Sequence, residues 1–220
     1  VLDRVADQSI LQPGNLLMVQ ERERFLAGFL RRAGLHSLDE TRVFEAGCST
    51  GYNLRQMVQW GGRPENMAGI DLDPAAVDYC KAHAPEIRVH SGSADAISEP
   101  DESFDLAFAF TLFSSVPDEE VSAGIARELA RIVRPGGFII VYDMRRRSPG
   151  NRNVHPISAE DIRRWFPRAP MRVRTITLAP PIARRAGRWA PWMYAPLSKI
   201  PFLRTHAMYL LRRPTTALET

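Results

Sequence analysis

A doubly wound α/β fold, with a mostly parallel seven-stranded sheet and helices on both faces, is the architecture this sequence predicts. Three observations carry it. Short apolar runs alternate with stretches of helical period, a glycine-bearing loop directly follows the first run, and an acid stands just beyond each of the next two. The length of 220 residues suits one domain over 1–220, and 45% hydrophobic against 25% charged residues excludes a disordered or collagen-like chain.

The first element is a covering helix over 15–34, with Leu17, Phe25, Phe29 and Leu30 as its apolar stripe and Gly34 as its stop. Arg42 to Ala46 reads as a strand running into Gly47-Cys48-Ser49-Thr50-Gly51, and Leu54 to Trp60 as the helix after it. Met67 to Ile70 is a second strand, after which Asp73 can cap and Pro74 can start a helix through Lys81. Glu86 to His90 and the wholly apolar Phe104 to Phe110 supply two more strands. Asp118 to Val133 has Val121, Ile125, Leu129 and Val133 on one helical face, with Pro135-Gly136-Gly137 ending it before the strand Phe138 to Tyr142. Ser158 and Asp161 have capping-box spacing for a helix through Phe166. Met171 to Leu178 and His206 to Leu211 read as an antiparallel pair at one end of the sheet, and Ala179 to Arg204 between them has no clear period.

A loop of the form Gly47-Cys48-Ser49-Thr50-Gly51 after a buried strand permits turns that a Cβ would forbid and lets a ligand approach the main chain. By itself it favours ligand binding, with a tight strand-to-helix turn as the plainer alternative. About twenty residues later Asp71 closes the second strand, where a carboxylate can accept both hydroxyls of a ribose. Helix capping would be its alternative role, but Asp73 already fills that role. Asp95, directly after the third strand, can accept from an exocyclic amine. Stations at the ends of three consecutive strands point to a nucleoside-bearing ligand more firmly than any one of them.

On these residues the sequence resembles the class I S-adenosylmethionine-dependent methyltransferases. Val43 to Gly51 matches their first motif, Gly69-Ile70-Asp71-Leu72-Asp73 the ribose station and Ser93-Ala94-Asp95-Ala96 the adenine station. The pattern continues through Ser103-Phe104-Asp105-Leu106 and Leu129 to Gly137, so that the resemblance covers 43–143. It implies S-adenosyl-L-methionine as cofactor and S-adenosyl-L-homocysteine as product. It further implies that Glu45 anchors the loop or reaches the amino acid moiety, and that Gly47, Cys48, Ser49 and Gly51 pass under the methionine part. Asp71 would hold the ribose, Leu72 would pack on adenine, and Asp95, between Ala94 and Ala96, would take the adenine amine. Phe110 and Thr111 would line the methionyl side. Ser49 departs from the family, which usually has glycine there. A dinucleotide site is disfavoured because no third glycine follows at the required spacing.

Methyl transfer from a sulfonium is a displacement at carbon, so alignment supplies much of the catalysis and a base is optional. The candidate catalytic residues are Asp143 after the fifth strand, His155 in the following loop and His206 at the start of the last strand. Each has an ordinary alternative as a loop cap or a polar strand-end residue. His36, His83 and His90 read as surface residues, Cys80 as a helix-packing residue, and no spacing of His and Cys suggests a metal. No Asp/Asn-Pro-Pro-aromatic run follows the fourth strand, and no Pro-Cys occurs, which argues against methylation of nucleic-acid bases.

A narrower resemblance, through Glu21-Arg22-Glu23-Arg24, Leu112 to Val116, Tyr142 to Arg145, Pro149-Gly150-Asn151, Leu178 to Pro181 and Leu203 to His206, points to a bacterial subgroup associated with cell-surface polysaccharide or glycolipid assembly. It implies O-methylation of a sugar hydroxyl, with Asp143, Asn151 and His206 around the acceptor. The rivals are C- or O-methylation of a quinone or other small molecule and, in another class, a non-catalytic cofactor-binding partner protein.

Charge is divided along the chain: residues 1–167 hold 19 Lys/Arg against 24 Asp/Glu, and 168–220 hold 10 against 1. The basic aromatic insertion over 179–205, between the last two strands, suits a lid over an anionic acceptor or a contact with anionic membrane. A plain cover over the sheet is its structural alternative. No RNA-binding signature accompanies the charge, so nucleic acid is not expected. Two cysteines, no apolar leader at the start and no run of about 18 apolar residues give a cytoplasmic expectation, at the inner membrane face if the insertion meets lipid.

Overall fold

Where the sequence sets apolar residues on both faces of a strand, the sheet buries them. The computed structural model describes residues 9–146 and 155–215. In it β1 (Val43–Ala46) and β4 (Phe104–Phe110) are buried almost throughout, as expected of central parallel strands. With β2 (Met67–Asp71), β3 (Arg88–Ser91), β5 (Val133–Met144), β6 (Met171–Leu178) and β7 (Arg204–Arg212) they form one sheet of order β3-β2-β1-β4-β5-β7-β6. The first five strands are parallel, with Phe44 opposite Ala68 on one side and Ala107 on the other. β7 returns antiparallel beside β6, since the Ala179 N–H donates to Leu203 at one end of the pair and the Arg212 N–H to Pro170 at the other. The chain order reverses between β1 and β4, the crevice where open α/β sheets bind ligands.

Local signals account for the helices. Asp73 accepts from the Ala75 N–H to open α3 (Pro74–His83), after α1 (Pro13–Arg32) and α2 (Tyr52–Gln59). Asp118 accepts from Glu120 and Val121 to open α4 (Glu119–Ile132), and the Ser158–Asp161 capping box opens α5 (Ala159–Trp165).

Two expectations need correction. The Pro135-Gly136-Gly137 stop is not a break between helix and strand: β5 begins at Val133, paired with Phe104, and resumes with Phe138 beside Leu106. The intervening residues form a bulge, held by Gly136 N–H to Arg213 and Arg213 N–H to Gly137. The aperiodic stretch from Ala179 to Arg204 is largely helical, with α6 (Pro180–Trp189), α7 (Tyr194–Ser198) and single 3-10 turns. Its inward positions are small residues, Ala183 and Gly187, which a search for bulky apolar stripes does not register.

By its contacts the chain divides into two compact units, Val1–Gly34 with Arg174–Ala207, and Leu35–Val173 with Met208–Thr220. In the first, α1 and α6 meet backbone to backbone: a Cβ on Gly187 would lie 2.2 Å from the Gly14 nitrogen, and one on Gly14 2.4 Å from the Ala183 oxygen. Glu21 is the polar hub of this unit, buried, accepting from the Tyr194 hydroxyl at 2.7 Å and the Thr177 N–H at 3.1 Å. The second unit carries β1 to β5 and α2 to α5.

Candidate active site

The ends of four adjacent strands, in the order β3, β2, β1, β4, bring Asp95, Asp71, the 47–51 loop and Phe110–Thr111 to one edge of the second unit. The loop is laced to β2 from beneath, with the Gly47 and Cys48 N–H groups both donating to Ile70 O, at 2.8 and 3.0 Å. Gly51 sits at φ +76°, and a Cβ there would lie 2.3 Å from Cys80 Sγ, so helix α3 packs against the loop where only glycine fits. Cys80 is thus a packing residue, as its position in the sequence suggests. Burial pushes the Cys48 thiol up, with the nearby Glu45 and Asp71 charges in the same direction, so it is no nucleophile at neutral pH.

Ser49, the departure from the family pattern, has φ +47° and an exposed side chain. Its N–H donates to Asp71 Oδ2 at 2.7 Å, while the Asp73 N–H donates to Oδ1 at 2.9 Å. Asp71 therefore ties loop to strand end with one lone pair from each oxygen. A carboxylate has about four acceptor sites, so capacity for a diol remains. Leu72 beside it is 72% exposed, an apolar surface suited to a flat ring. Asp95 is half-buried against α4, where a Cβ on Gly124 would come within 2.9 Å of its own Cβ. Ala94 is buried and Ala96 exposed.

Glu45 is fully buried at the end of β1 and accepts from Asn53 Nδ2 at 2.6 Å, tying the first turn of α2 to the strand. Asn53 was not legible from the sequence, because no motif pairs a strand-end acid with the second residue of the next helix. No side chain caps α2, so its N-terminal dipole faces the loop uncompensated by a capping group.

At the end of β4, Phe110 is buried and Thr111 adopts φ +52°, uncommon for a β-branched residue. The Thr111 N–H donating to Tyr142 O at 2.7 Å and its hydroxyl donating to Phe110 O hold that conformation. Left-handed Ser49 and Thr111 thus stand at the ends of neighbouring strands, on the two sides of the crevice. Leu112 closes over Gly47, with its Cδ1 3.0 Å from where a Cβ would be.

Asp143 is 1% exposed. Its Oδ2 accepts from the Ser114 N–H at 3.0 Å and its Oδ1 from the Met144 N–H at 2.7 Å. Burial pushes its pKa up to about 6, against the lowering effect of Ser114, Met144 and Phe113 as hydrogen-bond partners. Ser114 in turn accepts from the His155 N–H at 2.9 Å, so Asp143 and His155 flank one short turn. The His155 side chain is exposed. No signal in the sequence paired Ser114 with Asp143. His206 lies in the other unit, 8% exposed, its Nδ1 3.0 Å from the Thr205 hydroxyl; burial and the Arg22 charge take its pKa down to about 4. Asn151 falls outside the described residues.

Residues 43–137 match the family model described as "Methyltransferase domain", and the match runs from the start of β1 past Asp95 into β5. The fold agrees: an S-adenosylmethionine-dependent methyltransferase from Mesorhizobium loti superposes with a TM-score of 0.62 over 85% of this chain and 96% of that one, at 18% identity. Residues 43–137 are thus a methyltransferase domain, set in the fold that solved S-adenosylmethionine-dependent methyltransferases share. Two curated relatives of this methyltransferase domain are similar at greater depth of sequence. One is a 2-methyl-6-phytyl-1,4-hydroquinone methyltransferase of Synechocystis sp., 28% identical over 67% of this chain and 47% of its own length. Another is a ubiquinone biosynthesis O-methyltransferase of Paracidovorax citrulli, 29% identical over 51% of this chain and 48% of its own. The chain thus spans about half the length of these relatives. Among the described residues no group of His, Cys, Asp and Glu could hold a metal ion.

The methyltransferase domain's residues fit its cofactor. Asp71 with acceptor sites to spare, the exposed Leu72, the carboxylate of Asp95 one strand further out and the main chain of 47–51 offer the acceptors, the apolar surface and the close approach that S-adenosylmethionine would call for.

Proposed function

We propose that this chain transfers the methyl group of S-adenosylmethionine to a hydroxyl oxygen of a small, lipid-soluble ring compound of the quinol type. The observation that carries the reading is the alignment of Asp95, Asp71, the 47–51 loop and Thr111 along four adjacent strand ends at the β1/β4 crevice. When bound, S-adenosylmethionine supplies an activated methyl group on sulfur. Asp71 holds the ribose, Asp95 the adenine amine, and the loop accommodates the methionine part without a Cβ at Gly47 or Gly51. The quinol class is supported by the names of the two relatives and by the exposed aromatic character of 179–205.

In this reading Asp143 is a positioning residue. Its carboxylate is 1% exposed and accepts from the Ser114 and Met144 N–H groups, so it holds the 111–115 turn that borders the acceptor side and does not itself meet the acceptor's proton. A phenolic hydroxyl ionises near pH 10 and benefits from a base. His155, exposed and joined through its main chain to that turn, is the base; His206, held neutral by burial, is a structural hydrogen-bonding group of the other unit.

A second reading keeps the same cofactor chemistry and takes a sugar hydroxyl of a lipid-linked glycan in polysaccharide assembly. The arginine-rich, acid-free stretch 180–204 favours it, because guanidinium groups bind phosphates bidentately. Both readings place the protein at the membrane periphery.

Isothermal titration with S-adenosylmethionine and S-adenosylhomocysteine, beside Asp71→Asn, tests the cofactor site. Loss of charge-assisted bonds to a diol predicts about 10- to 100-fold weaker binding in the variant. Labelled methyl donor with quinols and with lipid-linked glycans then separates the two acceptors. Binding without transfer to either class would make the chain the non-catalytic partner, and no binding by folded protein would sink the proposal.

A further inference from the structure

We propose that the outer face of α6 and the turn after it form a docking surface for an anionic lipid bilayer, with Trp189 and Trp192 inserting among the headgroups and Arg185 and Arg188 meeting phosphates. The assignment rests on the placement of these side chains within their own unit. Helical geometry sets Ala183 and Gly187 on the face of α6 that meets α1, and it sets Arg185, Arg188 and Trp189, at i, i+3 and i+4, on the opposite face. Trp189 is 78% exposed and Trp192, in the 3-10 turn after α6, 73%, while Phe202, in the later 3-10 turn Pro201–Leu203, is 65% exposed.

The two most exposed large apolar residues described in the other unit have local explanations. Leu72 belongs to the cofactor cradle, and Tyr79 stacks on His83 with ring centroids 3.9 Å apart. The tryptophans of α6 and its turn have no such explanation in the cofactor chemistry. The Arg188 guanidinium lies over the Trp189 ring at 5.2 Å, so cation and indole are presented together.

Charge decides for a bilayer of one sign. Described residues 9–34 and 174–207 hold ten Lys/Arg against two Glu, one of which, Glu21, is buried in the hub. Indole rings prefer the headgroup level, and each basic group near an anionic surface adds to the attraction. Two weak signals together give stable peripheral binding. No described helix is long and apolar enough to cross a membrane, which leaves surface attachment as the mode for these residues. A nucleic acid would answer the charge but would not require exposed indoles beside a helix face. This surface extends the lipid-soluble acceptor reading and does not depend on methyl transfer, so either can fail alone.

The test is co-sedimentation of the full chain with phosphatidylcholine vesicles, with and without phosphatidylglycerol. The variants are Trp189→Ser/Trp192→Ser and Arg185→Glu/Arg188→Glu. Expected are binding only to the vesicles containing phosphatidylglycerol, a blue shift of tryptophan emission, and roughly tenfold or greater weakening in each double variant. Both variants should keep the wild-type thermal midpoint and S-adenosylmethionine affinity. Absence of binding by the wild-type chain overturns the proposal. So does full retention by Trp189→Ser/Trp192→Ser with loss in the arginine variant, which would mark a general polyanion site, and binding of single-stranded RNA would identify it.

Discussion

The two compact units bury ionisable groups by opposite devices. In the strand-end unit, Asp143 is surrounded by main-chain donors from Ser114 and Met144, which offset part of the cost of burying a carboxylate and leave its pKa at about 6. In the unit built on α1 and α6, His206 has the Thr205 hydroxyl beside it and the Arg22 charge nearby, so burial drives it to the neutral form, with a pKa of about 4. The contrast shows that burial always disfavours charge, and that the donors supplied locally decide how far a group moves. The units also differ in how they bring backbone together. One uses glycine to turn a loop, and the other uses glycine to bring two helices into contact.

The largest expected effects break that second contrast. Gly51→Val adds a side chain at a left-handed φ and into Cys80, and should weaken S-adenosylmethionine binding by more than about 100-fold in titration, equivalent to about 3 kcal/mol. Gly187→Val pushes a side chain into the Gly14 backbone and should destabilise its own unit by about 3 kcal/mol or more, read as rapid proteolysis within 9–34 and 174–207. Cofactor binding should survive in that variant. If Gly187→Val abolishes it, the two units do not divide the work as argued.

Titration sharpens the first contrast. Asp143 has a folded pKa above its unfolded value of 3.8, so its ionisation erodes stability as pH rises from about 4 to about 6. His206 has a folded pKa below its unfolded 6.5, so stability is lost as pH falls from about 6.5 to about 4. Each shift is worth about 3 kcal/mol at most, with opposite sign. In urea melts at pH 4.5 and pH 7, about midway and beyond these windows, His206→Gln should lessen acid destabilisation and Asp143→Asn should increase it. Identical pH profiles for both variants and the wild type would refute the assignment.

Smaller effects probe single bonds. Tyr194→Phe removes one of the two described donors to buried Glu21 and should cost about 1–3 kcal/mol in urea unfolding. An unchanged midpoint would mean that water replaces the hydroxyl and that the hub is more open than its burial indicates. At the other extreme, Trp189→Ser/Trp192→Ser should change the midpoint by no more than about 0.5 kcal/mol, since both rings are already exposed. A larger loss would place those indoles in packing.

Legibility followed the range of the interactions. Asp73, Asp118 and Ser158 cap the helices for which they were read, because a cap acts over two or three residues. The placement of Asp71 and Asp95 at strand ends was likewise readable, since spacing along alternating strands and helices fixes which residues reach those ends. Asn53 on Glu45 and Ser114 on Asp143 were not, because each pairs groups that only the folded chain brings within hydrogen-bond distance. The 180–189 helix escaped notice for another reason: its buried face is made of alanine and glycine, which carry little hydrophobic signal and matter through how closely they let backbones approach.

By itself, then, the amino-acid sequence determined the alternation of strands and helices, the loop at 47–51 with its acids at 71 and 95, and the concentration of cations beyond residue 167. These are properties of local propensity, spacing and composition. Only the tertiary structure decided that Asp143 props a turn, that His206 is held neutral, that Ser49 tolerates a left-handed φ with its N–H on Asp71, and that Trp189 faces outward while Gly187 faces in. Those outcomes depend on burial and on contacts between residues far apart in the chain, which no local pattern encodes.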